Sequence, residues 1–283
     1  MSSIAPDPAP ALSRRRELGS SSARSLLFTV LGEYVRPAGE PVWTGALVRV
    51  LGQLGVAEKA ARQALARTAA EGWITGRRHG RQVQWELTEA GSRLLTDGAG
   101  RIYSFGLDGA DWDGRWLVLL AGVPEGGRDL RHQLRTRLTW AGFGALPGGV
   151  WVSPDTSRED EAAAILRDLG LDAGAMSFVA HHGGIGAQAG IAARAWDLSA
   201  VEIAYKEFTD TVEAMAPVTD EDVLTAQTLL VHEWRRFPFL DPRLPRDLLP
   251  AGWLGAQAAA LFQARHAQWR DGAQRHWAVL ARY

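Results

Sequence analysis

Cysteine is missing from this chain of 283 residues. Its absence removes disulfide staples, thiol nucleophiles and thiolate-ligated zinc together. Long apolar runs are missing as well, and no stretch approaches the ~18 uninterrupted apolar residues of a membrane span. The segment Met1 to Ser22 is rich in proline, alanine and serine and carries Arg14-Arg15-Arg16. No apolar stretch of secretory length follows it, so residues 1–21 read as a flexible arm and not as a signal peptide. A cytoplasmic protein is expected. Lysine is scarce: 29 of the 31 cationic residues are arginine, Lys59 and Lys206 being the exceptions. Arginine's planar fork suits phosphate and guanine, but the bias runs along the whole chain, as GC-rich codon usage would make it, and locates no site. Apolar residues (46%) and charged residues (22%) are present in ordinary measure, which excludes a disordered chain. The length suits two or three domains at ~100–150 residues each.

The net charge of −1 hides an asymmetry. Residues 1–100 hold 13 Lys and Arg against 9 Asp and Glu, whereas 101–283 hold 18 against 23. A basic front and an acidic back assign any polyanion contact to the front.

Helical periodicity opens at Ser22, with Leu26, Leu27, Val30 and Leu31 on one face, and is expected to end before Pro37. A second helix is predicted from Thr44, read as an N-cap, to Leu54, and a third from about Ala57 to Glu71. Two β-like runs follow, Trp73–Arg78 and Gln82–Leu87, joined across His79-Gly80. Thr88-Glu89-Ala90-Gly91 then caps a further helix. Three helices, a hairpin and a closing helix are the plan of a winged helix-turn-helix over residues 22–98.

Beyond a Gly/Asp-rich connector, strand-like Arg115–Val123, Gly149–Ser153 and Met176–Ala180 alternate with helical Leu130–Trp140 and Asp160–Leu169. A ferredoxin-like α/β unit over residues 110–182 is expected, acting in dimerisation and spacing. From residue 195 to 283 only helices are predicted (198–215, 220–235, 254–268 and 272–282), interrupted by a Pro-rich loop, Pro238–Pro250. The fold class is therefore α+β and multidomain, with an all-α C-terminal part.

The third helix and the hairpin carry the chemistry of the front. At 100° per residue, Lys59, Arg62, Gln63 and Arg67 share an arc of about 140°, while Ala60, Ala61, Ala64, Leu65, Thr68 and Ala69 fill the opposite side. Small apolar residues allow close packing on the preceding helix; the polar side offers cations for phosphates and forked groups for base edges. Between Ala57 and Gln82 there are six cationic residues against two acids. The tip Arg78-His79-Gly80-Arg81 suits a sugar-phosphate backbone. The expected DNA-binding residues are Thr44, Lys59, Arg62, Gln63, Arg67, Arg77, Arg78, His79 and Arg81.

The run Ala57-Glu-Lys-Ala-Ala-Arg-Gln-Ala-Leu-Ala-Arg through Glu71-Gly72-Trp73, then Gly80-Arg81 and Leu87-Thr-Glu-Ala-Gly91, resembles the DNA-binding domain of the PaaX-like family, the repressors of phenylacetate-degradation operons. Trp112-Asp-Gly-Arg-Trp116 with Val123-Pro-Glu125 resembles that family's entry into its middle domain. His232-Glu-Trp-Arg-Arg-Phe-Pro238, Asp241-Pro-Arg-Leu-Pro245, Leu248-Leu-Pro250 and Trp253 resemble its C-terminal signature. The likeness runs in order from about residue 22 to 262. It implies a transcriptional repressor that binds palindromic operators as a homodimer and leaves them when a small molecule binds, phenylacetyl-CoA in the founding case.

Within the signature, His232, Trp234, Arg235 and Arg236 are the expected effector-binding residues, since guanidinium groups suit an acyl-CoA or a carboxylate. The alternative is a helix end whose side chains cap carbonyls or pair with Asp241 and Asp247. No catalytic residue, metal ligand or cofactor is expected. The strand opening the middle domain reaches no acid until Glu125, so a Mg²⁺-dependent nuclease lacks its anchor there. An adaptor that no longer touches DNA is the other alternative. Gly184-Ile-Gly186-Ala-Gln-Ala189 fits a loose dinucleotide fingerprint but is followed only by helices, so it reads as an interdomain link. His181-His182 lacks a third metal ligand at useful spacing.

Overall fold

A computed structural model describes residues 22–106 and 112–282; the expected N-terminal arm with Arg14–Arg16 and part of the connector, 107–111, lie outside the described residues. The architecture is mixed α and β with a helical C-terminal region. It divides into two compact units: residues 22–101 with 216–236 and 265–282, and residues 102–215 with 237–264. The predicted C-terminal helices are thus shared out between the two.

The first unit opens with α1 (Ala23–Val30), which Ser22 caps by accepting from the Ser25 N–H at 3.1 Å. The helix does not stop before Pro37. A π-helical turn, Leu31–Val35, carries it into a last turn, Arg36–Ala38; Pro37 brings no N–H to the turn before it, and there Arg36 Nε donates to the Gly32 carbonyl at 3.3 Å. Next come β1 (Val42–Trp43), α2 (Thr44–Gln53) and α3 (Glu58–Ala70). Thr44 is not the N-cap of α2; Trp43 holds that position without a side-chain bond, and the Thr44 hydroxyl is drawn elsewhere. Strands β2 (Ile74–His79) and β3 (Gln82–Leu87) form a hairpin, and β1 adds to β3, giving an antiparallel sheet in the order β1-β3-β2. Its tip is the pair Gly80-Arg81, where Gly80 takes φ 62°, a conformation that favours glycine at the first position of a two-residue turn.

Helix α4 (Glu89–Ser104) follows at once, capped by the Thr88 hydroxyl accepting from the Gly91 N–H at 3.1 Å. Gly91 is required by proximity: a Cβ there would lie 2.0 Å from the Trp73 carbonyl oxygen.

The core of this unit gathers Leu26, Leu27, Val30, Leu31, Leu47, Val50, Leu51, Ala61, Ala64 and Leu65 with Leu224, Ala273, Trp277 and Leu280. The last four come from α9 (Asp220–Trp234) and α11 (Gly255–Leu280). Helix α11 is continuous where a break was predicted at 269–271, because Trp269, Ala273, Trp277 and Leu280 are all buried and one apolar stripe runs straight through Gly272.

The second unit holds β4 (Arg115–Leu120), β5 (Gly144–Leu146), β6 (Val150–Ser153) and β7 (Met176–His181) in an antiparallel sheet ordered β5-β6-β4-β7. Nothing in the sequence marks strand β5, because three residues are too few for an alternation to show. Leu117 and Leu119 face α5 (Arg128–Trp140) and α6 (Glu159–Asp168). Trp116 and Val118 point to the opposite side, where α7 (Ala189–Ala195), Leu198 of α8 (Leu198–Glu213) and the Pro-rich segment pack. The predicted link, Gly184–Ala189, ends on the first residue of α7, and the predicted Pro238–Pro250 loop begins within a short helix, α10 (Phe237–Leu240), and carries a 3-10 turn, Arg246–Leu248. Tyr205 stacks on Phe237 with centroids 4.3 Å apart and donates to Asp241 Oδ2 at 2.6 Å. Burial raises the pKa of both the phenol and the carboxyl of this pair.

Candidate nucleic-acid interface

Helix α3 buries Ala61, Ala64, Leu65 and Thr68, and Thr68 donates back to the Ala64 carbonyl at 2.8 Å. That fixes the rotation of the helix. Lys59, Arg62, Gln63 and Arg67 are all exposed, on the arc the sequence assigned to them. Arg62 pairs with Glu58 one turn earlier at 2.8 Å, an exposed contact worth at most ~1 kcal/mol and weakened by salt. Lys59 and Arg67 have no ion pair among the described residues.

Along the hairpin, Arg77, Arg78, His79 and Arg81 are exposed too. Arg77 pairs with Glu86 of the neighbouring strand at 2.8 Å, which leaves Arg78 and Arg81 as the hairpin's cations without an acidic partner among the described residues. His79 meets Trp43 edge-on with centroids 5.5 Å apart. The half-buried Thr44 donates to the Val83 carbonyl at 3.0 Å and accepts from Trp85 Nε1 at 2.8 Å. Its hydroxyl therefore ties α2 to the hairpin. Spacing alone could not reveal that role.

The C-terminal signature residues sit differently. His232 is 5% exposed and Trp234 is wholly enclosed. His232 Nδ1 lies 3.0 Å from the Thr29 hydroxyl of α1. Burial, aided by the positive fields of Arg235 and Arg236, pulls the imidazole pKa down to about 4. Arg235 donates to the Ser25 hydroxyl, also on α1, and Arg236 lies 3.6 Å from Glu233.

One turn further along is a buried polar group that no motif or spacing singles out. Glu33 accepts from Gln227 Nε2 at 2.9 Å and lies 2.9 Å from His266 Nε2. The Tyr34 hydroxyl lies 3.0 Å from that of Thr228 and 3.3 Å from the Leu224 carbonyl. Burial raises the pKa of this phenol.

Other sequence features have local roles. The ring of His182 bonds the Gly184 N–H and lies 3.1 Å from the Ile185 carbonyl oxygen, closing its own turn. Strand β7 runs antiparallel to β4 at the sheet edge, so the parallel crossover of a dinucleotide fold is not built around Gly184–Ala189. Among the described residues, no group of three potential ligands is placed to hold a metal ion, and no helix is long and apolar enough to cross a membrane.

Three family matches cover the chain in order. Residues 22–91 match the family described as PaaX-like protein, 109–192 the PaaX protein central Cas2-like domain, and 196–279 the PaaX-like protein C-terminal domain. The transcriptional repressor PaaX of Escherichia coli (strain K12) is 32% identical over 251 residues, covering 85% of this chain and 78% of that protein. Among solved structures, the uncharacterized protein Rv0674 from Mycobacterium tuberculosis shares the fold at 24% identity with a TM-score of 0.59, over 90% of this chain and all of that one. From these matches in sequence order and the extent of the identity, the chain belongs to the PaaX-like family.

Proposed function

We infer that the protein is a DNA-binding transcriptional repressor whose N-terminal elements act as a winged helix-turn-helix. The observation that carries this reading is the exposed row Lys59, Arg62, Gln63 and Arg67 on α3 together with the cationic hairpin tip, the hairpin being tied to the neighbouring α2 by Thr44. In this reading α3 enters the major groove and the hairpin rests on the backbone through Arg77, Arg78, His79 and Arg81. A repressor relative over 85% of the chain supports it. Its place of work is the cytoplasm, where its DNA is. The test is retention of genomic fragments by the purified protein, followed by gel shifts on what is retained; failure to hold any fragment at low salt would remove the reading.

The finer parts of the reading follow from it. The β-α-β-β-α-β order of the second unit and its 2-3-1-4 strand arrangement fit a ferredoxin-like dimerisation module. Its edge strand β7 leaves Met176, Phe178 and Val179 56%, 52% and 48% exposed, a surface suited to a second copy. A homodimer would present two reading heads to a palindromic operator.

The proposed effector is an aryl-acyl-CoA such as phenylacetyl-CoA, acting at His232, Trp234, Arg235 and Arg236. The route is physical: Arg235 and His232 hold Ser25 and Thr29 of α1, and α1 shares its core with α3. A ligand anion that takes Arg235 from Ser25 would shift the head between two settings, provided it binds one of them better. Titrating tryptophan fluorescence with phenylacetyl-CoA, phenylacetate and CoA tests this, and a flat response to all three removes the effector class.

A further inference from the structure

Helix α5 points Leu134 and Leu138 into the core of the second unit, with Leu130 against it. That rotation sets Arg128, Arg131, His132 and Arg135, spaced i, i+3, i+4 and i+7, on one face, and all four are exposed. Among the described residues, Arg128, Arg131 and His132 have no acidic partner. The Arg135 guanidinium rides over the Trp151 ring at 5.9 Å, an anchor for its stem that leaves its charge available. Arg137 stands off the row and pairs with Asp168 at 2.6 Å.

A solvated helix face ordinarily interleaves the signs, with an acid one turn before each cation, as Glu58 precedes Arg62 on α3. On α5 the only acid is Asp129, in the first turn, where the helix dipole favours it. The row is also out of character with its surroundings. Helix α5 holds four arginines against one aspartate, while the remainder of residues 101–283 holds 14 cationic residues against 22 acids. Cations lined up at one-turn spacing repel one another, so the arrangement calls for an anion that runs alongside it.

We propose that this face of α5 is a second contact for the phosphate backbone of duplex DNA, separate from α3 and the hairpin. The proposal rests on the DNA-binding reading above. The four groups lie in a row of about 10 Å along the helix axis and do not converge on a pocket, so they fit a linear polyanion in preference to a small anion. That length matches about three phosphates of one strand at ~3.4 Å of rise each.

The test compares the full chain with two triple variants on an approximately 40-bp duplex of mixed sequence, by fluorescence anisotropy between about 50 and 200 mM salt. One variant is Arg128→Gln, Arg131→Gln, Arg135→Gln. The other, equal in charge, removes exposed cations elsewhere on the same unit: Arg167→Gln, Arg194→Gln, Arg246→Gln. The α5 variant should lower the slope of log affinity against log salt by about 2.7, three contacts at ~0.9 each, with an unchanged far-UV spectrum. The control variant should keep the wild-type slope. Equal slopes for the two variants would overturn the proposal while leaving the DNA-binding reading intact. A wild-type chain that fails to bind the duplex at the lowest salt would instead overturn that reading, and this proposal with it.

Discussion

The buried imidazole of His232 makes a pH dependence calculable. Enclosure in the first unit, with Thr29 beside Nδ1 and two arginines nearby, moves its pKa from 6.5 to about 4. In the unfolded chain the same group takes up a proton near its ordinary value. Between pH 6.5 and 4, then, the unfolded state is protonated and the folded state is not. The stability contribution of the neutral ring is complete above pH 6.5 and is lost as pH falls through that window. Relative to the alkaline limit the loss is about 1 kcal/mol at pH 5.5 and between about 2 and 3 kcal/mol at pH 4.5, approaching ~3 kcal/mol at lower pH. The perturbation is His232→Gln, which keeps a polar group beside the Thr29 hydroxyl but has nothing to titrate. Urea unfolding of both proteins, followed by far-UV circular dichroism from pH 7.5 to 4.5, isolates the histidine as the difference between the curves. That difference should change by about 2 kcal/mol between pH 7 and 4.5, in the direction that favours the variant in acid. Parallel curves over the whole range would refute the reasoning.

Gly91→Ala places a methyl group 2.0 Å from the Trp73 carbonyl oxygen; the backbone must move, and a destabilisation of ~1–3 kcal/mol or more should appear as a lowered thermal midpoint. Arg62→Ala should weaken binding to a retained genomic fragment by ~1–3 kcal/mol and relax base preference, whereas Arg81→Ala should weaken binding to all sequences alike and flatten the salt slope by about one; gel shifts at two salt concentrations separate the two. Phe178→Lys puts a charge on the exposed edge strand β7 and should shift the sedimentation equilibrium toward monomer without altering the far-UV spectrum.

Local features were largely legible in the sequence. The orientation of α3 could be read because small apolar residues and cations alternate with a clear 3.6-residue period, and the hairpin because Gly80 sits between two β-rich runs. Thr88 reads as a cap from its place before Glu89, and its hydroxyl does cap α4. The misplaced boundaries have one cause in common, a tertiary demand that outweighs a local signal. Thr44 forgoes its helix cap because Trp85 and Val83 engage its hydroxyl, and Gly272 fails to break α11 because Trp269 and Trp277 are buried on either side of it. The polar group around Glu33 was illegible for a different reason: its members, Gln227 and His266, lie far away in sequence, and no spacing rule joins them. The cationic face of α5 was hidden by averaging, since a net count over residues 101–283 returns an acidic total.

Helix α1 connects these observations. A first helix that only supported α3 would need one apolar face, yet Leu26, Leu27, Val30, Leu31, Tyr34 and Val35 are buried and Ser25, Thr29 and Glu33 each bond to residues some 200 positions away. Apolar packing is forgiving in direction, but hydrogen bonds of this kind hold only over a narrow range of distance and angle. A small rotation or slide of α9 against α1 therefore cannot be absorbed gradually. It either keeps the contacts of Ser25, Thr29 and Glu33 or breaks them as a group, and a buried carboxylate left without partners is costly. Such a contact has few settings, which is the property that the proposed relay from Arg235 through α1 to α3 requires.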